Sequence, residues 1–263
     1  MRWIRYSTPG NAPAHGLMHG DQIEPVVGDP FGDWTPSGGS LRLSDVTIEV
    51  PLMPRTFYAA GLNYTAHVRD VGRALGANLP TQPDMGYRAT NALIAHEQDI
   101  IVPADATEAV QYEGELVGGI GRRAKHLTEQ DALSCVFGYT IGNDVSERSW
   151  QKSDRTFWRS KNTDTFKPMG PWIETDVELD SLRTEVRLNG QVKTEFRTND
   201  MLFGIERYLS TMTRYLTLYP GDVVWMGTDG ASPNLVHGDV VEISISRSEE
   251  HTSELQSPDH LVC

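Results

Sequence analysis

Two glutamates, Glu113 and Glu115, stand in the otherwise apolar stretch VQYEGELVGGIG. Residues i and i+2 of a strand point to the same face, so the two carboxylates share one. Like charges at that spacing repel, and burial adds to the cost. Three arrangements relieve it: a solvated face, a proton shared by the pair, or a cation seated between them. Four other stretches carry groups able to do chemistry. In GLNYTAHVRD, His67 and Asp70 are one helical turn apart. Such a carboxylate can orient an imidazole and leave its other nitrogen free as a base, although pairs of this kind also serve structural ends. In GNDVSERSWQ, Asp144 sits at a strand exit with Arg148 and Gln151 beyond it, and the same Asn-Asp reads equally as an ordinary turn. Lys161 lies in the polar loop SKNTDTFKPMGP, and Thr228 lies between glycines in WMGTDG, where backbone can approach a ligand.

The elements that must position these groups are mostly strands. HGLMHGDQIEPVVG reads as a hairpin, RTFYAAGLNY as a strand ending in a turn, and TAHVRDVGRAL as a short helix with Thr65 as its N-cap. NALIAHEQDIIVP gives two short strands, and LTEQDALSCVFGY a short helix opened by Thr128 and Asp131. TEVRLNGQVKTEF is a hairpin about Asn189-Gly190, the favoured type I′ pair. Residues 199–222 read as the clearest helix, with Met201, Ile205, Tyr208, Leu209, Met212 and Leu216 at helical spacing and Pro220-Gly221 as its stop. Many strands and few helices, without regular βαβ order, predict a β-rich α+β fold on curled, mixed sheets. The expected division is a small β-rich unit over 1–50 and a catalytic domain over 51–246.

Composition narrows the function. The chain has 263 residues and a net charge of −13, which argues against nucleic acid as a partner. Its apolar runs are too short for a membrane helix, and MRWIRYSTPG has no apolar core of a secretory signal. Two cysteines, Cys135 and Cys263, give neither a disulfide framework nor metal spacing, so a cytoplasmic location is expected. No Gly-x-Ser-x-Gly elbow occurs, and GGIGRR lacks dinucleotide spacing.

Residues 247–263 stand apart. RSEEHTSELQS is the frame translation of a widely used sequencing-library adapter, so this tail is read as non-native. Cys263, His251 and His260 then carry no functional meaning, and the sheet edge after VEISI is expected to be unpaired and destabilising.

Five motifs in order, GLNYTAH, YEGELVGGIG, GYTIGNDVSER, KNTDTFKPMGPWI and GDVVWMGTDG, resemble the fumarylacetoacetate hydrolase family, in its bacterial branch acting on 2-oxo and 2,4-dioxo acids. The resemblance covers roughly residues 55–245 and more loosely the N-terminal unit. It implies a β-roll catalytic domain, a divalent metal and a homodimer. It assigns Glu113, Glu115 and Asp144 as metal carboxylates, a hard oxygen set suited to Mg²⁺, with Mn²⁺ or Ca²⁺ as alternatives. It makes His67 the activator of water with Asp70 where the family usually has glutamate. Lys161 would stabilise developing negative charge, and Arg148, Gln151 and Thr228 would contact substrate. The family's usual Thr-Gly-Thr-Pro loop appears here as Met226-Gly227-Thr228-Asp229, a departure that bears on substrate identity.

The reaction expected from this resemblance is hydrolysis of a carbon–carbon bond in an acylpyruvate or fumarylpyruvate-like 2,4-dioxo acid, a small 2-oxo acid substrate, releasing pyruvate. Isomerisation or decarboxylation of 2-hydroxy-dienoates or 2-oxo-diacids in aromatic catabolism is the nearest alternative. A non-catalytic metal- or metabolite-binding protein is the alternative from another class.

Overall fold

A computed structural model describes residues 1–76, 78–106 and 109–247, without the side chains of 74, 75 and 247, and the backbone alone of 255–262. The rest of the adapter-like tail, 248–254 and Cys263, lies outside the described residues.

The first strands are β1 (Arg2–Ser7), β2 (Ala14–His19), β3 (Gln22–Gly28), β4 (Trp34–Pro36), β5 (Leu41–Arg42) and β6 (Thr47–Ile48). The expected hairpin is β2–β3, turning at Gly20-Asp21. Next come β7 (Phe57–Ala60), helix α1 (Thr65–Asp70), β8 (Met85–Tyr87), β9 (Leu93–Ile94) and β10 (Asp99–Ile101). The central segment holds β11 (Val110–Gln111), β12 (Gly114–Ile120), β13 (Val136–Asn143), β14 (Ser146–Glu147), α2 (Arg148–Gln151) and β15 (Lys167–Glu174). The chain continues through β16 (Leu182–Leu188), β17 (Gln191–Arg197), α3 (Ile205–Tyr215), β18 (Val223–Trp225), β19 (Val240–Arg247) and β20 (Leu255–Val262).

These strands form a large mixed sheet in the order β4-β3-β2-β1-β15-β13-β12-β18-β7-β8, and a second sheet in the order β10-β20-β19-β16-β17. The N-terminal strands are therefore not a separate sheet: Arg2 and Trp3 of β1 pair with Glu174 and Ile173 of β15. The fold is the expected β-rich α+β class, with three α-helices among the described residues.

Side-chain alternation along β12 divides the core. Leu116 joins a cluster with Val186 and Ile243 of the second sheet and with Tyr208, Leu209 and Met212 of α3. Val117, one residue on, faces the opposite way into a cluster with Trp3, Phe57, Met169 and Trp225. Glu113 and Glu115 continue the Val117 face toward the strand ends, so the site caps this second cluster.

Trp225 makes Gly142 obligatory. A Cβ on Gly142 would lie 2.5–2.7 Å from three carbons of the indole, which is fully buried and cannot step aside. Gly142 pairs with Glu115 across β12–β13, so the fit sets the spacing of the site itself. Gly142→Ala is expected to cost about 1–3 kcal/mol. At about 2–4 °C of melting temperature per kcal/mol for a chain of this size, a thermal melt reads it directly.

Three local expectations are corrected. The helix expected over 199–222 is only α3, because Asn63 pins the preceding residues in extended form. Its Oδ1 accepts from the Phe203 amide at 3.0 Å, its carbonyl accepts from Leu202 N at 2.7 Å, and Met201 bridges to Tyr64. Thr65 does not cap α1; extended Tyr64 is the N-cap and gives no side-chain bond. Nor is the edge beside β19 open. β20 lies along it antiparallel and runs parallel to β10 on its other side. Main-chain pairing of this kind asks little of the side chains, so an edge accepts any extended segment within reach.

Candidate active site

The carboxylates meet where β12 begins and β13 ends. Gly114 pairs with Asn143, the Asn143 Oδ1 accepts from Glu113 N at 3.1 Å, and Asp144 N donates to Glu113 O at 2.9 Å. This clasp brings Glu113, Glu115 and Asp144 together with one oxygen of each within 4.8 Å of the others, and all three are buried.

Four basic side chains surround two of the three. Lys161 Nζ spans Glu113 Oε2 at 2.7 Å and Asp144 Oδ2 at 2.9 Å. Arg88 Nη2 lies 2.7 Å from Asp144 Oδ2, and Lys167 Nζ lies 2.7 Å from Asp144 Oδ1. Arg148 Nη2 lies 2.5 Å from Glu113 Oε1, yet that oxygen makes no hydrogen bond of proper geometry. Burial raises the carboxyls of Glu113 and Asp144, but these cations outweigh it and hold both below the usual carboxylate range. Lys167 shows the reverse cost: burial pushes it down to about 7 despite Asp144.

Glu115 is different. It accepts from Gly227 N at 2.8 Å and has no ion-pair partner among the described residues. Burial, then Asp144 and Glu113, push it up to about 8. Three hard oxygen donors, one of them without a salt bridge and another with a buried oxygen that makes no hydrogen bond, fit a divalent cation. Glu113, Glu115 and Asp144 would hold it.

His67 lies at the same wall. Its Nδ1–H donates a hydrogen bond to Gly230 O at 2.7 Å, which leaves Nε2 as the lone-pair nitrogen, 3.7 Å from Glu113 Oε1. Burial lowers its pKa, so the ring is neutral at pH 7 and able to take a proton.

A cavity of about 460 Å³ opens over these groups, lined by His67, Glu113, Glu115, Gln151, Lys161 and Thr228 among others. Two expected residues do not join it as foreseen. Asp70 is not the partner of His67. It sits at the exposed end of α1 and pairs with Arg69, at 2.5 and 2.7 Å, because the buried face of the helix carries His67 and Val68. Arg148 is absent from the cavity lining. Its Nε donates to Gln111 and its Nη1 to Gln151 Oε1, and the guanidinium faces buried Glu113, which needs a counter-charge. Sequence reading did not find Arg88, Lys167 or Gly230. Lys167 carries a faint signal as the one charged residue of KPMGPWI, while Arg88 and the Gly230 carbonyl carry none.

Comparison with known proteins agrees with this geometry. Residues 56–256 match the family described as fumarylacetoacetate (FAA) hydrolase C-terminal, and residues 1–51 match Rv2993c-like, N-terminal. Protein Rv2993c of Mycobacterium tuberculosis is 37% identical over 255 residues, covering 93% of this chain and 94% of that protein. A 2,4-didehydro-3-deoxy-L-rhamnonate hydrolase of Sphingomonas sp. is 34% identical, over 77% of this chain and 74% of its own. The crystal structure of a 5-carboxymethyl-2-hydroxymuconate delta-isomerase from Mycobacterium smegmatis superposes with a TM-score of 0.88 at 33% identity, covering 100% of this chain and 99% of that one. Clasped carboxylates, curled mixed sheet and matched sequence coincide over most of the chain, which belongs to the fumarylacetoacetate hydrolase family.

Proposed function

We propose that the chain is a divalent-metal-dependent hydrolase of acylpyruvates. The observation that carries this reading is His67: neutral, fixed through Nδ1, and presenting Nε2 at the cavity wall beside the carboxylate cluster. When bound, the metal would supply Lewis acidity toward the 2-oxo acid oxygens, with Mg²⁺ or Mn²⁺ suited to the donors. His67 Nε2 takes a proton from water, and the hydroxide adds to the carbonyl carbon of the acyl group. The bond from that carbon to the neighbouring methylene carbon breaks, and its electron pair stays on the methylene carbon as an enolate. Lys161 stabilises the developing negative charge. The protonated His67 returns its proton to that carbon, giving pyruvate and the carboxylic acid of the acyl group, which loses its own proton to solvent, with one water consumed. Thr228 and Gln151, both lining the cavity, hold the substrate.

The rival reading is isomerisation or tautomerisation of a related 2-oxo or 2-hydroxy-dienoic acid. It is favoured by the Mycobacterium smegmatis isomerase and by the missing His67–Asp70 contact, since proton transfer between carbons needs no hydroxide. The test is decay of the ultraviolet enol band of several 2,4-dioxo acids with Mg²⁺ or Mn²⁺ and with excess EDTA, with products weighed by mass spectrometry. Metal-dependent decay with pyruvate appearing supports hydrolysis; decay or rearrangement at constant mass supports the rival.

A further inference from the structure

We propose that Asp229 is a positioning residue: its carboxylate holds the first turn of α1, and so fixes where His67 stands beside the carboxylate cluster. This rests on the reading of His67 as the base of the site.

The first observation is where the Asp229 bond lands. Its Oδ1 accepts from the His67 main-chain amide at 3.2 Å, across 162 positions of sequence. His67 is the third residue of α1, and the first amides of a helix have no acceptor within it. The carbonyl four residues back, Asn63 O, is taken by Leu202 N at 2.7 Å. Tyr64, the N-cap, supplies no side-chain bond. Asp229 therefore does from a distant loop what a capping side chain does locally. A helix of six residues depends on such outside ties, because its own hydrogen bonds are too few to hold it.

The second observation is the loop that carries Asp229. Gly227 N donates to Glu115 Oε2 at 2.8 Å, and Gly230 O accepts from His67 Nδ1 at 2.7 Å. The loop is itself clamped. Met226 N donates to Leu116 O at 3.0 Å, and Asn63 Nδ2 donates to Met226 O at 3.0 Å. One short segment thus references a metal carboxylate and the base to each other. Its main chain makes the bonds to Glu115 and to the imidazole, and Asp229 adds the side-chain bond to the backbone of the same histidine. Where the family's usual loop has proline, which offers no side-chain acceptor, this chain has a carboxylate.

The two bonds to His67 constrain different motions. A ring bonded at Nδ1 alone can pivot about that bond and carry Nε2 along the cavity wall. Holding the amide of the same residue removes the pivot, since backbone and ring are then both tied to adjacent residues of one loop. Misplacement of a reacting group by about 1 Å can cost on the order of 100-fold in rate, so a single tether of this kind is felt in turnover.

The test is a double-mutant cycle on Asp229 and His67, with the full chain, Mg²⁺ and the 2,4-dioxo acid whose enol band decays fastest. Asp229→Ala is expected to lower kcat by about 10–100-fold and to change KM by less than about threefold. Asp229→Asn keeps an acceptor oxygen and should recover most of that loss. In the His67→Ala background, Asp229→Ala should lower kcat by less than about twofold, because its effect passes through the imidazole. Thermal melts should show every variant folded and stabilised by Mg²⁺, since the bond to Glu115 comes from the loop's main chain. A parent-like kcat in Asp229→Ala, a loss carried by KM alone, or an equal loss in both backgrounds overturns the proposal. A second readout needs no turnover: the ¹⁵N spectrum of histidine-labelled protein near neutral pH, with His67 identified by its absence from His67→Ala. The parent and Asp229→Asn should show the single Nδ1–H tautomer, and Asp229→Ala a mixture of both. If His67→Ala keeps full activity, or no dioxo acid turns over, the base reading falls and this spectrum decides alone. Mixed tautomers in Asp229→Ala then uphold the tether, and an unchanged ring ends it.

Discussion

Glu115→Gln is expected to remove metal-dependent turnover, by at least about 100-fold, while leaving the metal-free protein as stable as its parent or more so. The two halves have one cause. Glu115 is buried beside two other carboxylates and makes no salt bridge among the described residues, so burial and its neighbours, outweighing the Lys161 charge, push it up to about 8 against 4.5 in the unfolded chain. Between those values the folded state binds the extra proton. Its contribution to stability is therefore whole below pH 4.5 and is lost as pH rises to about 8, on the order of a few kcal/mol. Glutamine resembles the protonated acid and does not titrate. The melting temperature of the metal-free variant should gain on the parent as pH goes from 5 to 8. The metal reverses the order. Mg²⁺ or Mn²⁺ must displace that proton, so parent affinity should climb with pH up to about 8, and ligand-induced stabilisation should be absent from the variant. Calorimetry in two buffers of different ionisation heat would count the released proton. A variant that still gains stability from the metal would remove Glu115 from the ligand set.

His67→Ala is expected to lower hydrolysis by about 10²–10⁴-fold at saturating metal, the range for loss of a positioned base. Asp70→Asn should change the rate by less than about twofold and leave the melt unaltered, because among the described residues it pairs only with Arg69, at the solvent face. The contrast separates two accounts of how the imidazole is aimed. If the side chain of Asp70 aimed it, both substitutions would be severe. The Gly230 carbonyl aims it here, and no side-chain substitution can delete that acceptor. Burial also keeps the ring neutral to lower pH than an ordinary histidine, so the acid limb of kcat should fall below pH 6.5.

Much of this site was legible in the chain because its central feature is local. Two glutamates at i and i+2 in a buried strand need an explanation, and period-2 alternation places them on one face whatever the tertiary fold. The Asn189-Gly190 hairpin was equally readable, since both residues take the left-handed conformation its turn demands, φ 53° and 75°. What escaped depends on distant parts of the chain. Arg88 and Lys167 reach Asp144 from just past β8 and from β15, and no spacing rule couples those segments. Asp70 misled for the opposite reason. The i, i+3 rule brings two residues within reach but does not say which of them faces water. The long helix failed because Asn63, more than 130 residues earlier, captures the amides of 202 and 203 before helical bonds can form.

The pairing of β1 with β15 has a consequence for how the chain is made. Arg2 meets Glu174 across 172 positions of sequence. At roughly 5–20 residues per second of synthesis, the edge of β1 facing β15 waits about 9–35 s for its neighbour. Through that interval an emerging hairpin carries an open row of amides and carbonyls that any extended segment could take. Folding therefore closes late and non-locally. The slow phase of refolding should track association of the N-terminal strands with β15, so weakening Trp3 in its aromatic cluster should slow folding more than it hastens unfolding if that junction belongs to the folding nucleus.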